Sequence, residues 1–223
     1  MSNKFTDRHK SWNRKRSFEK AYAIESKSKH RIFLIICEGN ESEYFKSIPA
    51  PNAEVKALGL GRSKTALVKK AKEIAQREES HGREVWCVFD YDYQGDEKNQ
   101  KQDFNQAIIT ATSSKFHVAW SNDCIELWFV LHYKEIRQRL SRYQYYKMLE
   151  DIWKIRNYAQ EGKSPGFSKL IYHRLQNDPQ SSEKQAIVRA ARLCQEFAGS
   201  PYTDRNPCTT VHELVLRLKN DSK

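Results

Sequence analysis

The chain has 223 residues, with 39 Lys and Arg against 28 Asp and Glu, and a formal net charge of +11. Its length suits one α/β domain with a helical extension, and 39% hydrophobic residues, including the aromatics, support a folded core despite the charged surface. The longest apolar runs, at residues 32–37 and 127–131, are far shorter than the ~20 residues that span a bilayer. We therefore expect no membrane segment, and a cytoplasmic location, since residues 1–16 lack a secretory pattern.

Positive charge is concentrated at the start of the chain. Residues 1–31 contain ten Lys or Arg against three acids, which is +7 of the total net charge. We predict that residues 1–29 form a basic N-terminal arm, in which aromatic residues such as Trp12 interrupt the bases. This composition favours contact with nucleic-acid phosphates and bases, with a solvated arm as the alternative.

Residues 30–135 are predicted to form an α/β core. Short runs rich in apolar residues predict strands at residues 30–37, 53–58, 84–89 and 116–120. Helical spacing of apolar residues, or a turn that enters a helix, predicts helices at residues 40–47, 64–80, 103–113 and 123–133. The alternation of strands and helices predicts a mostly parallel sheet with helices on both faces.

The pattern is helical from residue 136 onward, which predicts a helical C-terminal part, residues 136–223, packed on the core. The predicted helices are separated by turns that contain proline and cover residues 143–153, 167–175, 183–197 and 211–218. Thr210 and Glu213 have the spacing of a capping box at the start of the last helix. We therefore expect this last segment to be mostly structural.

Carboxylates follow two of the predicted strands. Glu38 comes directly after the first strand, and Asp90 and Asp92 follow another. Ligands collect at the carboxyl ends of parallel strands, and residues i and i+2 of an extended segment point to the same side. Converging carboxylates are the ligands that Mg²⁺ or Mn²⁺ prefers. The sequence therefore predicts a divalent metal site here, with a solvated loop as the alternative for the two aspartates.

Four segments resemble, in order, the signature motifs of the RloB-like family. They are residues 37–45 (CEGNESEYF), 88–92 (VFDYD), 121–128 (SNDCIELW) with 131–133 (LHY), and 206–215 (NPCTTVHELV). This family is a branch of the Toprim-fold nucleases that is linked to bacterial anti-phage defence. The similarity spans about residues 30–218, and four motifs in order are more specific than any one alone. The chain departs from the family pattern at Asp123, where proline is usual.

The resemblance implies a Toprim-like fold and a metal-dependent endonuclease. It implies that Glu38 is a general acid/base or metal ligand, and that Asp90 and Asp92 hold Mg²⁺ or Mn²⁺. Glu43 is a further candidate metal ligand, with an acid favoured by the helix dipole as its alternative. Cleavage of a phosphodiester needs charge stabilisation and a proton acceptor, and a metal held by carboxylates supplies the first of these.

Two residues in the third motif are candidates for binding or cleaving the substrate. Asn122 and Glu126 share one helical face close to the predicted metal site. We assign Asn122 to substrate binding and Glu126 to catalysis, with a capping box led by Asp123 as the alternative for Glu126. His132 is a candidate substrate contact or a core histidine.

A glycine-rich turn at residues 59–65 precedes a predicted helix. Free N–H groups at such a helix start attract anions, so Arg62 and Lys64 are candidate contacts for substrate phosphate. An ordinary turn with solvated bases is the alternative. The spacing of the glycines does not match a nucleotide-binding phosphate loop.

We expect RNA as the preferred substrate, with tRNA as one candidate, by analogy with Toprim nucleases that are paired with defence ATPases. DNA cleavage is the alternative within the same class. A regulatory subunit that binds nucleic acid without cleaving it is the alternative from another class. The resemblance also implies an ABC-type ATPase as partner, and a homodimer is a further expectation.

Overall fold

The computed structural model describes residues 31–51, 53–77, 83–93, 95 and 97–219. The predicted basic arm, residues 1–29, lies outside the described residues. In the described ranges, none of the helices has the length and apolar character needed to cross a membrane. The predicted boundaries between the arm, the core and the C-terminal part, after residues 29 and 135, remain predictions.

A five-stranded sheet forms the centre of the fold. Its strands are β1 (Arg31–Cys37), β2 (Ala53–Gly59), β3 (Arg83–Asp90), β4 (His117–Asn122) and β5 (Cys208–Thr209). The order across the sheet is β2-β1-β3-β4-β5, and the first four strands are parallel. The prediction of a mostly parallel sheet is confirmed. The short β5 pairs antiparallel with β4 and was not predicted, because two residues carry no periodic pattern.

Eight α-helices surround the sheet in the described part of the chain. They are α1 (Glu41–Lys46), α2 (Lys64–Arg77), α3 (Glu97–Ser113), α4 (Glu126–Leu131), α5 (Arg142–Trp153), α6 (Pro165–Asn177), α7 (Glu183–Glu196) and α8 (Val211–Lys219). A π-helical turn covers Tyr158–Gly162 and a 3-10 turn covers Tyr202–Asp204. Every predicted helix is present, and α3 starts earlier than predicted because its first turns are polar.

The alternating side chains of β1 supply two separate cores. Phe33 and Ile35 pack against α1 and the helices that follow β4, whereas Leu34 and Ile36 pack against α2 and α3. Burial on both faces is why the strand is continuously apolar. The fold class is therefore confirmed as α/β, with helices on both faces and a helical C-terminal part.

Helix α8 begins without the predicted capping box. The Thr210 hydroxyl accepts a hydrogen bond from the Trp120 N–H at 2.9 Å and donates to the Val118 carbonyl at 3.3 Å. The threonine side chain therefore completes the edge of β4 and is not available to cap the helix. Further along α8, the Arg217 guanidinium donates to both carboxylate oxygens of Glu84 on β3, which ties the helix to the middle of the sheet.

The two-sided core predicts that Leu34→Ala lowers the free energy of unfolding by about 2–5 kcal/mol, because Leu34 is 1% exposed and its removal leaves a cavity. Leu170→Ala, at a position that is 57% exposed, is the control and should cost less than about 0.5 kcal/mol. Urea unfolding of both variants measures the difference. An equal loss in the two variants would contradict the packing described.

Candidate active site

Glu38 is fixed at the carboxyl end of β1 by backbone contacts on both sides. Its N–H donates to the Val88 carbonyl at 3.1 Å, and its carbonyl accepts from the Gly61 N–H at 2.7 Å. Its side-chain Oε2 accepts a hydrogen bond from the Asp90 N–H at 3.3 Å. The carboxylate of Glu38 therefore lies beside the end of β3, as predicted from the parallel sheet.

Gly59, the last residue of β2, makes this position of the loop possible. A Cβ atom built on Gly59 would lie 2.3 Å from the carbonyl oxygen of Gly39, a separation that real atoms do not tolerate. Only glycine lets the two backbones approach so closely. The loop that carries Glu38 is therefore packed directly on the end of the neighbouring strand.

Asp90 ends β3 in a partly buried position among other carboxylates. Burial raises the pKa of Asp90 well above its usual value, the nearby carboxylates of Glu41, Glu126 and Glu38 raise it further, and Lys163 opposes them. A carboxyl group crowded by like charges resists ionisation. Asp90 thus lies within electrostatic reach of three other carboxylates from separate elements.

Lys64 lies inside this cluster and balances Glu38. It is buried, with 7% exposure, and its Nζ is 3.4 Å from Glu38 Oε1. Burial raises the pKa of Glu38, while Lys64 and the hydrogen bond from the Asp90 N–H lower it, and the pKa stays above the usual value. The structure therefore brings Lys64 to the site.

The start of α2 is occupied by a protein carboxylate. The backbone N–H groups of Lys64 and Thr65 each donate to Asp103 of α3 at 3.1 Å. The expectation that these N–H groups bind phosphate is therefore wrong, because Asp103 already accepts their hydrogen bonds. Arg62 is exposed and lines a shallow groove with Lys69 and Glu73 of α2.

Glu126 and Lys163 form an ion pair at the edge of the cluster. Glu126 is 1% exposed, and Lys163 Nζ lies 2.8 Å from its Oε1. Burial alone would raise the pKa of Glu126, but Lys163 outweighs it and holds that pKa below its usual value. Burial would lower the pKa of Lys163, but Glu126 outweighs it and raises that pKa. Both groups therefore stay charged.

Two predicted metal ligands form ion pairs with basic side chains. Asp92 has a φ of 56°, so the chain is not extended there, and its carboxylate pairs with Arg142 at the start of α5. Glu43 pairs with Lys46 at 2.6 Å on α1. The expectation that Asp92 converges with Asp90 is wrong, because it assumed an extended backbone.

The segment after β4 is held by Asp123 and not by a capping box. The Asp123 carboxylate accepts hydrogen bonds from the N–H groups of Tyr93 at 2.9 Å and Arg142 at 3.1 Å. It therefore links the loop after β3 to α5 and does not cap α4. The Asn122–Asp123 peptide bond is cis.

Asn122 and His132 are both buried, and each is hydrogen-bonded to a backbone carbonyl. The Asn122 side-chain amide donates to the Thr203 carbonyl at 3.0 Å. His132 Nδ1 lies 2.9 Å from the Trp128 carbonyl oxygen, and burial lowers the pKa of His132 to about 4. The imidazole is thus neutral and packed in the core, as in the second of the two alternatives for this residue.

Glu41 and Lys163 belong to the cluster but were not predicted. Glu41 lies within the first motif, and its Oε2 accepts a hydrogen bond from the Gly39 N–H at 2.7 Å. Lys163 follows the π-helical turn, with its Nζ 5.4 Å from the centre of the Tyr146 ring. No local pattern marks a lysine whose partner lies 37 residues earlier in the chain.

Among the described residues, no three His, Cys, Asp or Glu side chains are grouped so that they could hold a metal ion by themselves. Mg²⁺, however, usually takes one or two protein carboxylates and completes its shell with water and substrate phosphate. The Asp90 backbone N–H donates to the Glu38 carboxylate at 3.3 Å, so Glu38 and Asp90 offer two carboxylates at neighbouring strand ends. Their chemistry fits this kind of metal binding.

The fold and the site define an α/β protein with a carboxylate centre at the carboxyl end of a parallel sheet. The chain belongs to the RloB-like protein family, whose model matches residues 33–218. This confirms the resemblance drawn from the four motifs and is consistent with a defence-related nuclease. No curated protein and no solved structure matches the chain.

The crowding of Asp90 predicts that Asp90→Asn stabilises the protein at pH 7. The pKa of Asp90 in the folded state lies above its unfolded value, which is about 4. The folded state therefore keeps a proton that the unfolded state releases, and stability falls as the pH rises from about 4 through the folded pKa. Asparagine does not ionise, so the Asp90→Asn variant avoids this loss of stability.

Thermal unfolding in a chelating buffer at several pH values measures the effect. We expect a higher midpoint for Asp90→Asn at pH 7 and equal midpoints near pH 3, where Asp90 is protonated in both states. Asp151→Asn, whose carboxylate is 70% exposed, should match the wild type throughout. A lower midpoint for Asp90→Asn at pH 7 would show that the carboxylate is stabilising.

Proposed function

We propose that the protein is a metal-dependent endonuclease of bacterial anti-phage defence that acts in the cytoplasm and prefers RNA. The observation that carries the proposal is the crowded carboxyl of Asp90 beside Glu38, at the end of the sheet where ligands bind in open α/β folds. Family membership supports the link to defence. The preference for RNA, with tRNA as one candidate, rests on analogy with related nucleases.

Mg²⁺ or Mn²⁺ would be held by Glu38 and Asp90. When bound, such an ion stabilises negative charge on the phosphate and acidifies a bound water. Glu38 has a raised pKa, so it can hold or accept a proton closer to neutral pH than an ordinary glutamate. Lys64, 3.4 Å from Glu38, supplies positive charge beside the reacting phosphate.

Glu126 is proposed as a positioning residue. Its ion pair with Lys163 keeps it ionised, which does not suit a group that must exchange protons near neutral pH. By holding the lysine at 2.8 Å, it keeps one positive charge close to Asp90, where phosphate would bind. The proposed role of Glu126 is therefore to hold Lys163 in place, and no longer to act in catalysis.

Partners are proposed on the basis of family and charge. An ABC-type ATPase would hold or release the nuclease, and two copies of the chain would form a homodimer. The net positive charge of residues 1–31 would attract the nucleic acid through its phosphates. No membrane partner is proposed.

Glu38→Gln and Asp90→Asn should each lower the cleavage rate by about 100-fold or more, because each removes a group that acts on the proton or the phosphate. Purified protein is incubated with Mg²⁺ or Mn²⁺ and either tRNA or plasmid DNA, and the products are separated on gels. Glu54→Gln and Asp151→Asn are the matched controls, since their side chains are 48% and 70% exposed.

Three outcomes separate the alternatives. Cleavage of tRNA that is lost in both site variants supports the proposal. Cleavage of plasmid without cleavage of RNA would make the protein a DNA nuclease. If the site variants keep full anti-phage protection in cells, the protein is a regulatory subunit that does not cleave.

Mg²⁺ should raise the unfolding midpoint of the wild type, since a ligand that binds only the folded state stabilises it by about 2.7 kcal/mol at 100 times its Kd. Glu38→Gln and Asp90→Asn should lose most of this increase, whereas Asp151→Asn should keep it. Thermal unfolding with and without Mg²⁺ measures the shift. Equal shifts in all four proteins would place the ion elsewhere.

A further inference from the structure

A cavity of about 210 Å³ opens beside the carboxylate cluster. It lies between the starts of α1 and α4, the π-helical turn and α6. Glu41, Glu126 and Lys163 line it, so it shares its polar wall with the candidate active site. A group bound in this cavity would therefore sit next to a phosphate held at Asp90.

The other walls of the cavity are mainly apolar. They include the rings of Tyr44, Phe129 and Tyr158. The rings of Tyr44 and Phe129 meet edge to face, with centroids 5.2 Å apart, and the Tyr44 hydroxyl accepts a hydrogen bond from the Trp128 indole at 2.8 Å. A cavity of about 150 Å³ already holds benzene, so this one can hold a flat aromatic ring.

The polar wall offers an acceptor next to a donor. Glu126 Oε2 is buried and accepts no hydrogen bond of ordinary geometry from the described residues. The Cys124 thiol is close enough to lower the pKa of Glu126, and Glu126 is close enough to raise the pKa of Tyr158. Lys163 Nζ, held on Oε1, is the adjacent donor. The Watson–Crick edge of a nucleobase presents an N–H next to an acceptor, which complements this pair.

We propose that the cavity receives one unstacked nucleobase of the nucleic acid that is bound at the carboxylates. The base packs against the apolar wall of the cavity, donates an N–H to Glu126 and accepts from Lys163. This inference rests on the proposed function, which it deepens, because a base can enter only from a single-stranded or locally opened segment. The protein therefore selects loops and other unpaired regions.

Filling the cavity tests the inference. Ser168 of α6 lines it, is 6% exposed, and Ser168→Leu introduces a good helix former into that space. Ser113→Leu makes the same chemical change at an exposed position on α3, a helix that packs against the other core. If Ser168→Leu does not fold, Ser168→Val, which fills less of the cavity, replaces it.

The probe is a short single-stranded RNA that carries iodouridine, bound in a chelating buffer so that cleavage is not required. Irradiation links the iodinated base to an aromatic side chain in contact with it, and mass spectrometry maps the linked peptide. We expect links to Tyr44, Phe129 or Tyr158 in the wild type and in Ser113→Leu. In Ser168→Leu we expect these links to fall, and the affinity for the RNA to weaken, by about tenfold or more.

Links only to other residues, or unchanged linking and affinity in Ser168→Leu, would overturn the inference. The same probe synthesised as DNA shows whether the cavity accepts a base from DNA as well as from RNA. If the base enters the cavity but no nucleic acid is cleaved, the proposed nuclease fails and the base site stands. If cleavage occurs and Ser168→Leu behaves as the wild type, the base site alone fails.

Discussion

Negative charge at the end of a parallel sheet has to be balanced, and two lysines from separate parts of the chain provide the balance here. Lys64 reaches Glu38 from the start of α2, and Lys163 reaches Glu126 from the segment before α6. Electrostatic interactions are strong where water is partly excluded, so these contacts help to hold the surrounding helices against the strand ends. Asp90 keeps a raised pKa nonetheless, which leaves the centre short of positive charge and therefore receptive to a cation.

The part of the site that could be predicted from sequence depends on two local rules. An apolar run with no polar face predicts a strand buried on both sides, and parallel strands present their carboxyl ends at one edge. These rules placed Glu38 beside Asp90, and the four motifs identified the family. They failed at Asp92, because a φ of 56° turns the backbone after β3 and sends its carboxylate towards Arg142 instead.

The rest of the site depends on contacts between distant segments, which no local pattern encodes. No local pattern distinguishes Lys163 from an ordinary surface lysine, and only the tertiary fold brings it to Glu126. Thr210 has the spacing of a cap, but β4 offers its hydroxyl better partners. Asp103 fills the start of α2 in the same way. In each case a tertiary contact competes with the local one and prevails.

The close approach of Gly59 to Gly39 has a counterpart on the far side of the cavity, where a Cβ on Gly162 would lie 2.4 Å from the Tyr158 ring. Neither glycine has a side chain that can act on a ligand. Each nevertheless allows a close contact, of Gly59 with the Gly39 backbone and of Gly162 with the Tyr158 ring, and any larger residue would displace that neighbour. Substitution at either glycine should therefore disturb the site as surely as substitution of one of its carboxylates.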